Sequence, residues 1–534
     1  MTKTLLMISA LLALMMAMAA PLAMAAPLAI AEAPDDLPDI FSQDVSRFTK
    51  LLASPAAERR VEGVQGLSNL KHWPAEDALL KLLADPSPEV QRETVLALAR
   101  LGTAKSVPHF IRLLEHPSPE LRLHSWLGLC RMTAQRFPAK ARAQWEQDWA
   151  ATALTNREQT LLAAAKGGPS AARHDALRAL RHLVTPAGEA ALIGILHQPG
   201  LALEERVFVA EALERVGTEK AIPALAGFHA DAAAYALGRI GGPAAEQALL
   251  RFPKTLAVLI NLDRLHSTNC GPLVPHLVMQ MGLLTYRGQP DDLMNADAQP
   301  IQRVGANLIR RSGQADEFIH QVLLELEYTM KPPPASPRPA IPAPWKPMLE
   351  AMCSELKPGF VREDGTTTSQ PITALYHIAT DKALAQRLRP LLHHPAFVPR
   401  VYVAMTLGKL QAREVLPELL QIIREGYAFS DAVALASGKH FDQSQTVRWR
   451  GFLCMALGRM GGDDARTALE QFAADPNQPR DIRYCSVVGL SFIGSSNSLP
   501  ALRQVAADDI IWMVRDEARR TAESIEILNR EGAR

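Results

Sequence analysis

Cysteine is scarce. The chain has five in 534 residues, too few for a disulfide-dense scaffold. No C-x-x-C occurs, which removes support for a redox motif or a zinc ribbon. Aromatic residues make up only 5% against 48% hydrophobic residues, a balance that favours helix-on-helix packing over a β-sandwich. Excess charge is also missing. Lys plus Arg is 57 and Asp plus Glu is 56, for a formal net charge of +1. That balance argues against a strongly basic nucleic-acid binder and against an acidic disordered chain. G-x-S-x-G, H-E-x-x-H, Rossmann and Walker patterns are absent, so no catalytic, cofactor-binding or metal-ligating residue is assigned. The length suits either two to four ordinary domains or one extended repeat array.

The first 31 residues read as a secretory signal. Lys3 is the lone charge, Leu5 to Ala20 is an apolar run, and small residues follow. Ala23-Met24-Ala25 places cleavage before Ala26, and Ala29-Ile30-Ala31 places it before Glu32. The alternative is an uncleaved N-terminal anchor, because the run is near the roughly 20 residues that span a bilayer. No cysteine precedes Cys130, which disfavours a lipid-modified N-terminal cysteine, and no second run of that length follows. The expectation is an exported chain, periplasmic or extracellular, without stable membrane insertion once the signal is removed. Cys130, Cys270, Cys353, Cys454 and Cys485 are odd in number, and Cys454 and Cys485 fall in neighbouring repeats where a bridge is conceivable.

What the sequence has in abundance is one helical phrase. A polar or Arg residue opens it, Leu usually follows seven positions later and an apolar residue closes it. Copies run from Arg60 to Leu70, Gln91 to Leu101, Arg173 to Leu183, Arg206 to Val216, Arg400 to Leu410, Arg450 to Met460 and Arg483 to Ile493. Weaker copies start near Leu121, Ala230, Gln302 and Arg515, and close neighbours fall 30 to 33 residues apart. The apolar positions share one face of a helix. Gly often follows, as at Gly102, Gly217, Gly461 and Gly494, where a left-handed C-cap is expected. Between copies lies a second helical phrase with Pro near its start, such as Pro108 or Pro417, and turns such as Asp85 to Pro88 and His116 to Pro119. Two such helices cannot bury their apolar faces alone, so neighbouring hairpins must stack.

The phrases ALGRIGG (Ala236 to Gly242) and ALGRMGG (Ala456 to Gly462) resemble the HEAT-like repeats of phycobilin lyases, as do the Pro-started first helices and the opening Arg. The resemblance implies an all-α, right-handed α-solenoid of roughly 11 to 13 HEAT-like hairpins. It implies that the opening Arg, including Arg400, Arg450 and Arg483, makes structural hydrogen bonds between neighbouring repeats rather than holding a ligand. HEAT-type hydroxylases carry paired His-Glu dipeptides for two irons. No His-Glu dipeptide occurs here, and His174-Asp175 is single. Export would also separate this chain from cytoplasmic phycobiliproteins.

Function is expected where the period breaks. Arg400 and Arg450 open copies 50 residues apart, leaving about 17 residues beyond one period. The 426–450 insertion concentrates Tyr427, Phe429, Lys439, His440, Phe441, Arg448 and Trp449, the candidate partner-binding residues. A loop packing its aromatics on the ridge is the plainer reading. The Pro-rich stretch Lys331 to Trp345 reads as an extended linker and Gly359 to Gln370 as a surface loop. Trp145 and Trp149, four apart on a helix, read as core packing, with a hydrophobic docking patch as the other reading. The expected organisation is a signal at 1–31, a solenoid at 32–330, linker and loop at 331–370 and a second solenoid at 371–534. The expected function is an exported, non-enzymatic scaffold for a protein partner, with no nucleic acid and no cofactor. The alternative is a small-molecule binder or enzyme with a pocket under the 426–450 loop.

Overall fold

The computed structural model describes residues 38–281, 300–330, 340–342, 345–355, 370–394, 397–425 and 443–532. Each repeated phrase forms a helix there, and the position seven residues after its opening decides where that helix sits. Leu67, Leu98, Leu180, Leu213, Leu407, Leu457 and Leu490 all have zero exposure. Full burial of one such side chain stabilises by about 1.5–3 kcal/mol. Pro88 and Pro119 open their helices at the first turn, where a missing N–H loses no helical bond. The described residues are all-helical, an α-solenoid of stacked hairpins.

Up to Val274, together with Asn307–Gly313, the described residues form one compact unit. Its helices are α1 (Ile40–Leu51), α2 (Ala57–Asn69), α3 (Glu76–Leu82), α4 (Pro88–Leu101) and α5 (Val107–Leu113). Then come α6 (Pro119–Thr133), α7 (Arg142–Ala151), α8 (Leu154–Gly167), α9 (Ser170–Leu183) and α10 (Glu189–Leu196). The last are α11 (Leu203–Val216), α12 (Ile222–Ala226), α13 (Asp231–Ile240), α14 (Gly242–Arg251) and α15 (Leu256–Arg264). The phrase helices pack in series, α2 on α4, α4 on α6, α6 on α9, α9 on α11, α11 on α13 and α13 on α15. The series then closes: α15 packs on α1, and α1 packs on α2. The Ile40 N–H donates to Asp263 Oδ2 at 2.7 Å across that closure, and Arg311 donates to the Asp263 carbonyl at 2.7 Å.

The described parts of Pro275–Ala306 and Gln314–Ala533 form a second unit. After α16 (Val274–Met281) and α17 (Pro300–Arg311) it holds α18 (Ala315–Met330), α19 (Lys346–Glu355), α20 (Gln370–Ile378) and α21 (Leu384–Leu388). Next are α22 (Phe397–Lys409), α23 (Leu416–Glu425) and α24 (Gln443–Met460). Finally come α25 (Asp463–Ala474), α26 (Arg480–Ile493), α27 (Leu499–Asp508) and α28 (Trp512–Gly532). Helices α22, α24, α26 and α28 stack in order. Backbones nearly touch within this stack. A Cβ added at Gly408 would lie 2.4 Å from the Ala456 carbonyl oxygen, and one at Gly458 would lie 2.3 Å from that of Gly489. Only glycine fits such an approach.

Two devices join neighbouring repeats. The first is the opening Arg. Arg60 forks onto Asp85 at 2.7 and 2.8 Å while donating to the Ser54 carbonyl at 2.8 Å. Arg483 does the same to Asp509 at 2.7 and 3.1 Å, and Arg173 reaches Glu205 at 2.9 Å. Burial pushes the Asp85 carboxyl up, but the Arg60 fork and the Ser87 N–H outweigh it and hold the group below its ordinary range. The second device is a carboxylate clasp. Glu76 accepts from both the N–H and the hydroxyl of Thr103, Glu158 from those of Thr185 and Glu189 from those of Thr218. Each clasp satisfies donors at the start of the next repeat's first helix.

The C-cap expectation holds at Gly461 and Gly494, with φ of 69° and 66°, and fails at Gly102 and Gly217, with φ of −58° and −64°. At those two positions glycine answers to space. A Cβ would sit 2.5 Å from the Leu98 or Leu213 carbonyl oxygen respectively. The expected signal at 1–31 lies outside the described residues, as does most of 331–370. At the end of the Pro-rich stretch Trp345 is buried against Phe318, ring centroids 5.4 Å apart. Among the described residues no helix is long and apolar enough to cross a membrane.

Candidate functional site

Of the candidate partner-binding residues, Tyr427, Phe429, Lys439, His440 and Phe441 lie outside the described residues. Arg448 and Trp449 fall on α24, which starts seven residues before Arg450. The last eight residues of the 426–450 stretch are therefore helical.

A different group of side chains comes together in the first unit, where the ends of its phrase helices converge. Lys71 follows α2, and its ammonium meets Glu211 of α11 at 2.7 Å. Arg181 of α9 meets the other oxygen of Glu211 at 2.8 Å. Arg215 of α11 donates to the Leu101 carbonyl at the end of α4 at 2.8 Å, with two phrase helices, α6 and α9, between them in the chain. Arg239 of α13 donates to the Gly217 carbonyl at 2.7 Å. Arg264 of α15 lies 4.5 Å from the Phe41 ring centroid, and Lys71 lies 5.9 Å from that of Tyr235. The local cause is plain: helix C-termini present unpaired carbonyls and the negative end of the helix dipole, and cations settle there. The glycines at 102 and 217 leave those carbonyls open to approach.

Electrostatics at this convergence are unusual. Glu214 is buried, 9% exposed, and among the described residues no hydrogen bond or ion pair reaches it. Burial raises its carboxyl to about 7, against the pull of Lys71, Arg215 and Arg264. Burial lowers Arg215 to about 10, and Arg239 and Arg264 move down for the same reason. Arg239 Nε is buried without a hydrogen-bond partner. His182 is buried and held neutral by burial and by Arg215 and Arg181. Its Nδ1 lies 2.7 Å from the Gly102 carbonyl, which can only accept, so Nδ1 carries the proton. Arg215, Arg239 and Arg264 thus meet carbonyls or a ring, and among the described residues no carboxylate lies within ion-pair distance of any of them.

Sequence reasoning read the phrases that contain Arg215 and Arg239 as repeat signatures and missed their convergence. One signal was available. Arg215, Arg239, Lys409 and Arg459 all stand nine positions after the opening residue of their phrase, where a cation can reach a neighbouring helix end. Lys409 does so in the second unit, donating to the Tyr376 and His377 carbonyls at 2.7 and 2.8 Å.

Other candidates resolve into packing. Trp145 is 2% exposed and edge-on to Phe137, while Trp149 stacks under Arg157 at 4.8 Å, as the core-packing reading expects. His393 meets Glu418 at 2.8 Å and His394 meets Thr329 at 3.0 Å, so the adjacent pair serves two partners. Cys454 and Cys485 are buried free thiols, and burial pushes Cys454 up to about 12. Among the described residues no group of His, Cys, Asp and Glu could hold a metal ion.

No curated protein matches the chain. Among solved structures, importin beta in an ammonium sulfate condition is 11% identical, with 91% of this chain and 79% of that chain covered and a TM-score of 0.24. A chain from work on a phosphorylation switch controlling the cadherin and beta-catenin interaction is 12% identical, with 90% and 100% covered and a TM-score of 0.22. Scores this low carry no argument about this chain. The family models are more telling, since they coincide with the stacked hairpins: the chain carries HEAT repeats at residues 45–130 and 434–523 and a PBS lyase HEAT-like repeat at 230–252.

Proposed function

We propose that this chain is an exported scaffold that holds a protein partner on its solenoid surface, with the 426–450 stretch as one contact. The observation that carries the reading is the use to which the recurring polar residues are put. Arg60, Arg173 and Arg483 grip the carboxylate of the next repeat, and Glu76, Glu158 and Glu189 clasp its first helix. The conserved chemistry of the phrase within this chain builds a surface, and a repeat surface suits an extended protein contact. The signal pattern at 1–31 supports export.

Affinity capture of the mature protein from an envelope fraction tests the first part, with a Lys439→Ala/His440→Ala/Trp449→Ala variant beside it. A protein held by the parent and lost by the folded variant is expected. Equal capture by both would remove the 426–450 contact, and no specific protein with either would remove the scaffold. Intact mass of the exported protein tests the second part: a chain starting at Ala26 or Glu32 is expected, and a retained first segment would make it anchored.

A further inference from the structure

At the ends of its phrase helices the first unit gathers guanidinium groups, Arg215, Arg239 and Arg264, that meet carbonyls or a ring and no carboxylate among the described residues. Glu211 is fully occupied by Lys71 and Arg181. The other carboxylates nearby have structural duties. Glu76 receives Thr103 and Ser106, Glu189 receives Thr218, and Asp39 caps α1 through the Ser42 N–H. What remains is Arg264, engaged only by a ring, and Arg239, whose Nε has no partner, beside a nine-tenths-buried Glu214 with none either. The buried, unpartnered Arg239 Nε costs free energy that a bound acceptor would recover.

We infer that Lys71, Arg181, Arg215, Arg239 and Arg264 form a receptor for the carboxylate side chains of an acidic peptide segment, which rests on the scaffold reading and names the chemistry of its partner. The spacing selects a chain over a single compact anion. Arg181, Arg215, Arg239 and Arg264 stand on the successive packed helices α9, α11, α13 and α15, whose axes lie about 8–10 Å apart, and Lys71 faces α11 from the end of α2. An extended chain advances about 3.3 Å per residue, so every third side chain meets the next helix. Entry is beside Lys71, whose side chain is 46% exposed. Tyr235 and Trp73, each half-buried under a cation, flank the path. Carboxylates accept charge-assisted, bidentate hydrogen bonds from Arg, which suits the donors left over here.

Isothermal titration of the mature protein with a blocked (Glu-Gly-Ser)4 peptide tests this, with the matching Gln peptide and inorganic phosphate as comparison probes. The Glu peptide is expected to bind, the Gln peptide to bind at least tenfold more weakly, and added salt to weaken the Glu peptide further. Arg239→Gln/Arg264→Gln is expected to lose at least tenfold, and Arg239→Lys/Arg264→Lys to lose less. Should the Gln pair fail to fold by circular dichroism, Lys71→Gln at the exposed entrance serves instead, with a loss of a few-fold expected. No binding by the parent, binding unchanged in the Gln variants, or phosphate binding as tightly as the peptide would each overturn the inference. Capture of a protein partner, run in parallel, keeps the two readings apart. A partner captured by a protein that ignores the peptide refutes the acidic-segment receptor alone, and peptide binding without any captured partner refutes the scaffold alone.

Discussion

In the first unit one ion pair joins residues 140 positions apart, Lys71 and Glu211, while in the second the fork of Arg483 on Asp509 joins residues 26 apart. The same helical phrase builds both. In the second unit its small residues bring backbones together, Gly458 on Gly489, and stability is a sum over neighbours. In the first unit the phrase helices return to their start, and distant repeats share bonds through Lys71, Arg215 and His182. The lesson is that the repeated residues specify how a repeat meets its neighbour, while closure is specified by residues outside the repeated positions, Ile40, Lys71 and Asp263 among them.

The sharpest test of neighbour-only stacking is Asp509→Ala. It strands the Arg483 guanidinium, 6% exposed, and should cost about 4 kcal/mol. Amide hydrogen exchange should show lost protection confined to α26, α27 and α28, and a loss reaching α22 would break the local picture.

Next is Glu214→Gln, which probes the closed unit through pH. The Glu214 carboxyl titrates near 7 in the folded chain against an ordinary value of 4.5. The stability its protonated form contributes is complete below about pH 4.5 and is lost as pH rises through about 7. Glutamine is neutral throughout. The variant should match the parent at pH 4 and exceed it by up to about 3 kcal/mol at pH 8, read from hydrogen exchange of α11. The groups facing Glu214 are Lys71, Arg215, Arg264, Arg239, Glu211 and Tyr235. A pH-independent difference would show that Glu214 is ionised and paired there.

Gly458→Ala should cost about 2 kcal/mol, because its Cβ meets backbone that cannot swing aside. An unchanged thermal transition would mean that α24 and α26 can slide apart. The smallest effect is expected for Lys71→Ala, under about 1 kcal/mol, since the ammonium is half-exposed and its ion pair is screened. Its location is the informative part. If closure is cooperative, exchange should quicken at the ends of both α2 and α11, and a change at α2 alone would make the first unit behave like the second.

The fold was legible because burial is periodic: the Leu seven places into the phrase is buried wherever the phrase carries it, and Arg60, Arg173 and Arg483, which open three copies, each have a carboxylate one repeat on. The glycine after the phrase was misleading in part. Gly494 turns left-handed as expected, but Gly102 and Gly217 are glycine to keep a Cβ off a carbonyl. Closure could not be read in advance, since the contacts that make it, Ile40 to Asp263 and Lys71 to Glu211, join residues far apart in the chain. For the same reason Arg215 and Arg239 looked like ordinary members of two phrases, 24 residues apart, until the helices brought their ends together.

The carboxylate clasp gives the array a direction. In each described pair the acceptor belongs to the earlier repeat and the donors to the later one, Glu76 to Thr103, Glu158 to Thr185, Glu189 to Thr218. The opening Arg runs the other way, with its donor in the earlier repeat and its carboxylate in the later one, Arg60 to Asp85, Arg173 to Glu205 and Arg483 to Asp509, so a cut on either side leaves a carboxylate without its donors. For the clasp, a chain emerging from the ribosome meets each acceptor before the segment that will occupy it.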